Sequence, residues 1–326
     1  MGEQLHGWIK KYWFMIGLIA VFAATLADTT ETVSAMGQWF KMHYGPDVAV
    51  IMIFFFSGLL LEADQISSGL KDFTGTLIAL SVIFLVSPLT AILFHLIPLD
   101  TGLKIGIFLV AVMPSTLSSG VVMTGAAGGN MAHALVITIL SNGLAVFSIP
   151  IALSILLNPF GGATDVIINK AAIMLKIAGI VILPLCVGLA TKYYAKTFTN
   201  RFESKLQLLN QYLIFGIVWM ALSSVRSTIL SSGQVIGIIF GLAFVFHGLL
   251  LATAGILSWG FQLGPGRREG VIFMGGQKTL PLSVILQVSL FPQYGLALVF
   301  CVVHHVVHLL MDGYLVGRFR SYGRGR

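Results

Sequence analysis

The chain has 326 residues, 57% of them hydrophobic and only 10% charged, with a mean hydropathy of +0.94. Soluble domains carry about 25% charged residues, so the composition excludes a soluble domain and points to an integral membrane protein. The net charge of +7 does not call for nucleic acid, because polytopic proteins collect Lys and Arg in their cytoplasmic loops.

A helix that crosses the hydrocarbon needs roughly 20 apolar residues. By that measure spans are expected over 10–27, 46–62, 73–97, 103–124, 131–157, 170–191, 206–229, 234–261, 270–291 and 294–316. The first follows Lys10 and Lys11 and also resembles a secretory signal peptide. It has no small-x-small cleavage site, so it reads as a retained helix. With the N-terminus inside, the cytoplasmic segments hold thirteen Lys and Arg and the outer loops four, Lys41, Lys104, Lys170 and Arg226. That asymmetry puts both termini in the cytoplasm of a multi-pass protein of the cell (inner or plasma) membrane. Lys176 snorkels from within its span to the interface, and Cys186 and Cys301 read as buried thiols.

Five spans precede the loop Asn158–Asp165 and five follow it, dividing the chain into 1–160 and 161–326. Five is odd, so the second half enters the membrane with opposite polarity, as inverted repeats require. The fourth span of each half is interrupted, by Pro114 within MPSTLSSG and by Pro281 within MGGQKTLPLS. Matching breaks in corresponding spans mark a transport site. The expected fold is therefore an all-α polytopic membrane protein of ten transmembrane helices in two inverted five-helix repeats, with helices 4 and 9 broken.

The chemistry concentrates at these breaks. Ser115, Thr116, Ser118 and Ser119 offer oxygens to a hard cation or a solute, or back-bond to their own helix. Asn130 follows a Gly-Gly pair, as an N-cap or a polar anchor at the crossing. Thr138, Ser141 and Asn142 fall near one face of the fifth span and are placed inward. Gln277 and Lys278 form the sharpest feature of the second half. A mid-span lysine costs several kcal/mol or more unless paired or hydrated, so Lys278 is expected to point into the cavity beside Pro114. There it replaces a cation, carries a proton, holds an anionic solute, or satisfies freed carbonyls. No Asp or Glu falls mid-span in this reading to pair with it. His304, His308 and Asp312 share a face of the tenth span and suit a proton relay or interhelical hydrogen bonds; with His305 they lack the ligand set of a metal site. His95 and His247 read as structural. No phosphate loop, nucleophile elbow or zinc-protease motif occurs, which points away from an enzyme.

The segments PSTLSSGVVMTGAAGGN (114–130), LSN (140–142), GGQKTL (275–280) and HHVVHLLMDG (304–313) resemble the bile acid:sodium symporter superfamily, in its SBF-like branch. The resemblance covers essentially the whole chain. It implies a panel domain from spans 1, 2, 6 and 7 and a core domain from spans 3–5 and 8–10, where the broken helices cross. It also implies sodium ligands, several of which are replaced here. A Ser-Asn pair falls on Ser119-Gly120 or one residue later, two fifth-span hydroxyls on Ala134 and Thr138, a glutamate on Phe273, and a third-span glutamine near Ile83. Gln277 alone is retained among the second sodium's side chains. The reading is a secondary transporter of a small organic solute, anions included, by alternating access, with Na+ or H+ as coupling ion and Lys278 in place of a sodium. Its partners are that solute and the lipid bilayer, with no nucleic acid and no cofactor. The alternative is a non-transporting membrane regulator or scaffold that keeps the fold.

Overall fold

Long apolar runs leave the backbone no partner in lipid except itself, so they become helices, and helices fill this chain. The computed structural model describes residues 2–60, 72–117, 119–157, 169–231 and 233–323, and no strand occurs among them. In chain order the helices are α1 (Gly2–Leu26), α2 (Thr32–Met42), α3 (Gly45–Leu60), α4 (Phe73–His95), α5 (Thr101–Val112), α6 (Ser119–Ala126) and α7 (Met131–Leu157). Then come α8 (Lys170–Tyr194), α9 (Lys196–Ser231), α10 (Gly233–Gly260), α11 (Arg268–Gly276), α12 (Leu280–Leu290) and α13 (Gly295–Gly323). Every expected span falls on one of these helices or, at 103–124 and 270–291, on a pair. Among the described residues, seven stretches are long and apolar enough to cross a membrane unaided, and α2 with α3, bent by 73°, would make an eighth. The protein is thus an all-helical polytopic membrane protein. The loop Asn158–Asp165 lies outside the described residues.

Two departures from the sequence reading have local causes. Helix α2 was not expected, because its eleven residues are too few to span. It buries Ser34 and Gly37 and exposes Met36, Trp39, Phe40 and Met42, the pattern of a helix lying along an interface. Cys186 is exposed while Cys301 is buried; an apolar run does not say which of its faces meets lipid.

Helices α4 and α8 each contain a wide π-turn, at Val82–Val86 and Ala178–Ile182, directly before Pro88 and Pro184. Proline has no N–H for the carbonyl four residues back, and one extra residue per turn relieves the conflict. In α4 the Ser87 N–H then bonds Val82 O, leaving Ile83 O without its usual helical donor.

Close packing ties the bundle together. A Cβ on Gly58 would lie 2.3 Å from Leu185 O, and one on Gly188 2.2 Å from Phe55 O, so α3 and α8 touch backbone to backbone as small residues allow. Arg226 on α9 donates from Nε to Thr25 O at 3.0 Å, capping the end of α1. Lys176 keeps its head partly in solvent beside Asp47, at 3.6 Å, and also donates to Ser289. At the other end Asp72 caps α4 by accepting from Gly75 N at 2.9 Å. The same carboxylate accepts from Arg267 Nε and Nη2 at 2.8 and 2.5 Å. These guanidinium bonds hold its carboxyl below the usual carboxylate range and join the start of α4 to the turn before α11.

Candidate functional site at the helix crossing

Helices α5 and α11 stop in the same way. Met113, after α5, and Gln277, after α11, both adopt φ −70°, ψ 144°, extended geometry that turns the chain out of the helix. The two extended segments meet, and Thr279 N donates to Pro114 O at 3.0 Å. Beyond the crossing the chain restarts as α6 and α12. Pro281 sits in the first turn of α12, where its missing N–H costs nothing, so the break precedes this proline. Thr116 accepts from Gly120 N at 3.0 Å and caps the first turn of α6.

Lys278 is 2% exposed. Its Nζ lies 3.1 Å from Ile83 O, 3.0 Å from Met113 O and 3.4 Å from Ala111 O. Each carbonyl lacks its helical donor for a local reason: the π-turn releases Ile83, and the end of α5 releases Ala111 and Met113; Ala111 O also accepts from Ser87 Oγ at 2.8 Å. Three acceptor-only carbonyls match the three N–H bonds of an ammonium, whereas a neutral amine offers two. Bonds from charged donors contribute roughly 1.5–3 kcal/mol each, enough together to offset the several kcal/mol of desolvation per buried ion.

Gln277 is wholly buried and links the end of α11 to α6 and α13. Its Oε1 accepts from Thr116 Oγ1 at 2.6 Å and Ser119 Oγ at 2.9 Å. Its Nε2 donates to Asp312 Oδ2 at 2.7 Å. Asp312 Oδ1 lies 2.9 Å from His247 Nε2, and both side chains are fully enclosed. The expectation that no Asp or Glu falls mid-span is therefore corrected for Asp312, although this carboxylate pairs with Gln277 and His247 and not with Lys278. Asp312 sits near the end of a hydrophobic run, but α13 continues well past it, to Gly323, and neighbouring helices cover it. His247 is corrected likewise, from a lone structural histidine to the carboxylate's partner. Glu269 is also buried, accepting from Gly266 N at 2.7 Å.

A cavity of about 500 Å³ lies beside the crossing. Thr116, Ser119, Thr279, Pro281 and His305 line one wall; Trp13, Phe54, Ser57, Asn210 and Ile214, from α1, α3 and α9, line the other. Lys278 is not among the lining residues, because its carbonyl partners lie toward α4 and α5.

The SBF-like CPA transporter family matches residues 12–321, nearly the full length. The chain belongs to that family. This family member is 29% identical to the "Probable sodium/metabolite cotransporter BASS4, chloroplastic" of Arabidopsis thaliana, over 99% of this chain and 76% of the relative. It is 26% identical to the "Sodium/bile acid cotransporter 7" of Danio rerio, over 98% and 96%. With the Xenopus laevis "Sodium/bile acid cotransporter 7-A" it shares 25%, over 96% and 93%. These are transporters of the bile acid:sodium symporter type, as the motifs of the broken helices imply.

Within this family member the folded chain gathers most of the expected residues. Thr116, Ser119, Thr138, Asn142, Gln277 and Lys278 meet at the crossing: Thr138 Oγ1 donates to Thr116 O at 3.2 Å, and Asn142 Nδ2 to Ser115 O at 3.1 Å. Ser115 Oγ and Asn142 Oδ1 are buried without a partner, and Ser141 bonds within its own helix. Asn130 is not brought there. It is exposed and caps α7, accepting from His133 N at 3.2 Å. Ser118 lies outside the described residues. His304 and His308 pack against His247, with ring centroids 5.7 and 5.6 Å away. Sequence reasoning missed Thr279, His247, Asn210 and Ser57. Thr279 had a signal, one residue from Lys278 in a helix break; the others had none.

Proposed function

We propose that this protein is a secondary active transporter of a small organic solute, with the cavity between the crossing and α1, α3 and α9 as its binding site. The observation that carries the reading is the meeting of two helix breaks beside a cavity with two kinds of wall. One wall is the crossing itself, whose half-helices α6 and α12 present N-termini that favour anionic groups. The other is a separate set of helices able to move against it. Ten spans in two inverted halves, 1–160 and 161–326, with α1, α3, α8 and α9 as panel and the rest as core, account for this division. By the positive-inside rule the cavity faces the cytoplasm, so the conformation is inward-facing.

Cation coupling is supported by relatives whose names include sodium. The set of the bile-acid branch does not transfer intact: Phe273, buried against Phe319 with ring centroids 6.0 Å apart, stands where the glutamate would be. Lys278 on its three carbonyls acts instead as a tethered cation in place of one sodium. A scaffold that no longer transports is the second reading, favoured by Phe273 alone.

The test is thermal stabilisation and proteoliposome uptake across a panel of small mono- and dicarboxylates, with and without sodium. Sodium-independent stabilisation that is lost in Lys278→Ala supports the tethered cation. Strict sodium dependence that survives the substitution overturns it, and silence across the panel favours the scaffold.

A further inference from the structure

Six ring nitrogens are buried without a partner in one patch of the protein: His247 Nδ1, His304 Nε2, and both nitrogens of His305 and of His308. Leaving so many polar atoms unpaired is costly, at about 1–3 kcal/mol for each unsatisfied donor, and calls for a use. The rings run in sequence from the cavity to Asp312. His305 lines the cavity. Its ring centroid lies 4.6 Å from that of His308, which lies 5.6 Å from that of His247. His247 Nε2 then meets Asp312 at 2.9 Å. The titratable groups acting on these rings are one another, His304 and Lys278, and Asp312 is the carboxylate among them.

We infer that Asp312 is a proton-binding site, reached from the cavity by water that bridges the unpartnered nitrogens of His305, His308 and His247, and that Gln277 reports its protonation back to the cavity. This rests on the transporter reading only for its purpose, because the chemistry follows from the hydrogen bonds. An ionised carboxylate only accepts, so it holds the Gln277 amide with Nε2 toward Asp312 and Oε1 toward Thr116 and Ser119. Both hydroxyls then spend their protons on Oε1. The proton arrives from His247 Nε2 on Asp312 Oδ1; rotation of the carboxyl about its Cβ–Cγ bond brings that O–H to the side of Gln277, where it donates, and the amide turns over to accept it. Nε2 now faces Thr116 and Ser119, whose oxygens accept and whose O–H bonds are released toward the cavity. One proton enters, no bond between heavy atoms changes, and the cavity gains two donors for the acceptor oxygens of a solute. Protonation and binding of an acceptor-rich solute are thereby coupled.

The experiment is infrared difference spectroscopy of the full chain in nanodiscs, titrated with pH and without solute. A protonated-carboxyl band that titrates in the native protein and is missing in Asp312→Asn is expected; a spectrum unchanged by Asp312→Asn overturns the assignment. After a pH jump the band should appear more slowly in His308→Phe, on the order of a hundredfold, with its midpoint kept; an unchanged rate removes the histidine path. Should Asp312→Asn not fold, Gln277→Glu places a second carboxylate beside the first and should raise the midpoint by about one pH unit or more; no shift overturns the assignment. Thr116→Val with Ser119→Ala should move the midpoint in the native background and not in Gln277→Leu, whereas equal shifts in both sink the switch. No solute is involved, so these outcomes stand apart from those of the uptake test.

Discussion

The main-chain N–H of Thr279 donates to the carbonyl of Pro114 at 3.0 Å, and this bond pins the two helix breaks to each other. It joins residues that are distant in sequence and defines the wall of the cavity. Thr279 already has φ −74°, which suits a proline. Thr279→Pro therefore deletes the donor without straining its own φ and leaves Pro114 O facing a ring carbon. A loss of about 1–3 kcal/mol is expected for the unsatisfied carbonyl, read as a lowered midpoint in thermal unfolding. Thr279→Val keeps the N–H and should stay near the native midpoint; equal losses in both variants would count against the bond.

Lys278→Ala leaves the carbonyls of Ile83, Ala111 and Met113 without the ammonium that they share. The variant should melt lower than the native protein. Sodium chloride should restore part of the loss where choline chloride does not, because a small cation suits oxygen ligands. Native protein should respond alike to both salts. A variant indifferent to sodium would show that the carbonyls make a lysine site and nothing more.

Gly58 and Gly188 leave no room for a side chain where α3 meets α8, with a main-chain oxygen 2.3 and 2.2 Å from the added Cβ. Each Gly→Ala change should destabilise by about 1–3 kcal/mol through overpacking. Gly143→Ala, with nothing within 4 Å of its Cβ, serves as the control and should be neutral or mildly stabilising.

Asp72 is held below the usual carboxylate range by Arg267. A depressed folded pKa means that the bond stabilises the protein above the unfolded value of about 3.9. That contribution fades as pH falls through the folded value. The stability gap between native protein and Asp72→Asn should therefore be constant from about pH 6 upward and close under acid. A gap that widens toward low pH would contradict the assignment.

The composition alone determined that this is a helical membrane protein, because lipid offers the backbone no partner and each long apolar run must satisfy itself locally. Pro114, the Gly-Gly-Gln-Lys run and Pro281 marked where α5 and α11 stop, again a local matter of missing donors and flexible backbone. Helix α2 escaped because a short amphipathic stretch is too brief to stand out among spans. What only the tertiary structure decided was pairing: that Lys278 turns to carbonyls of α4 and α5, that Asp312 is sealed in beside His247, and that Asn130 caps a helix away from the crossing. Apolar runs carry no record of which face meets lipid and which meets a neighbour, and Lys278 and Ile83 stand 195 residues apart. Their meeting depends on how the helices pack, so it becomes visible only once the whole bundle has formed.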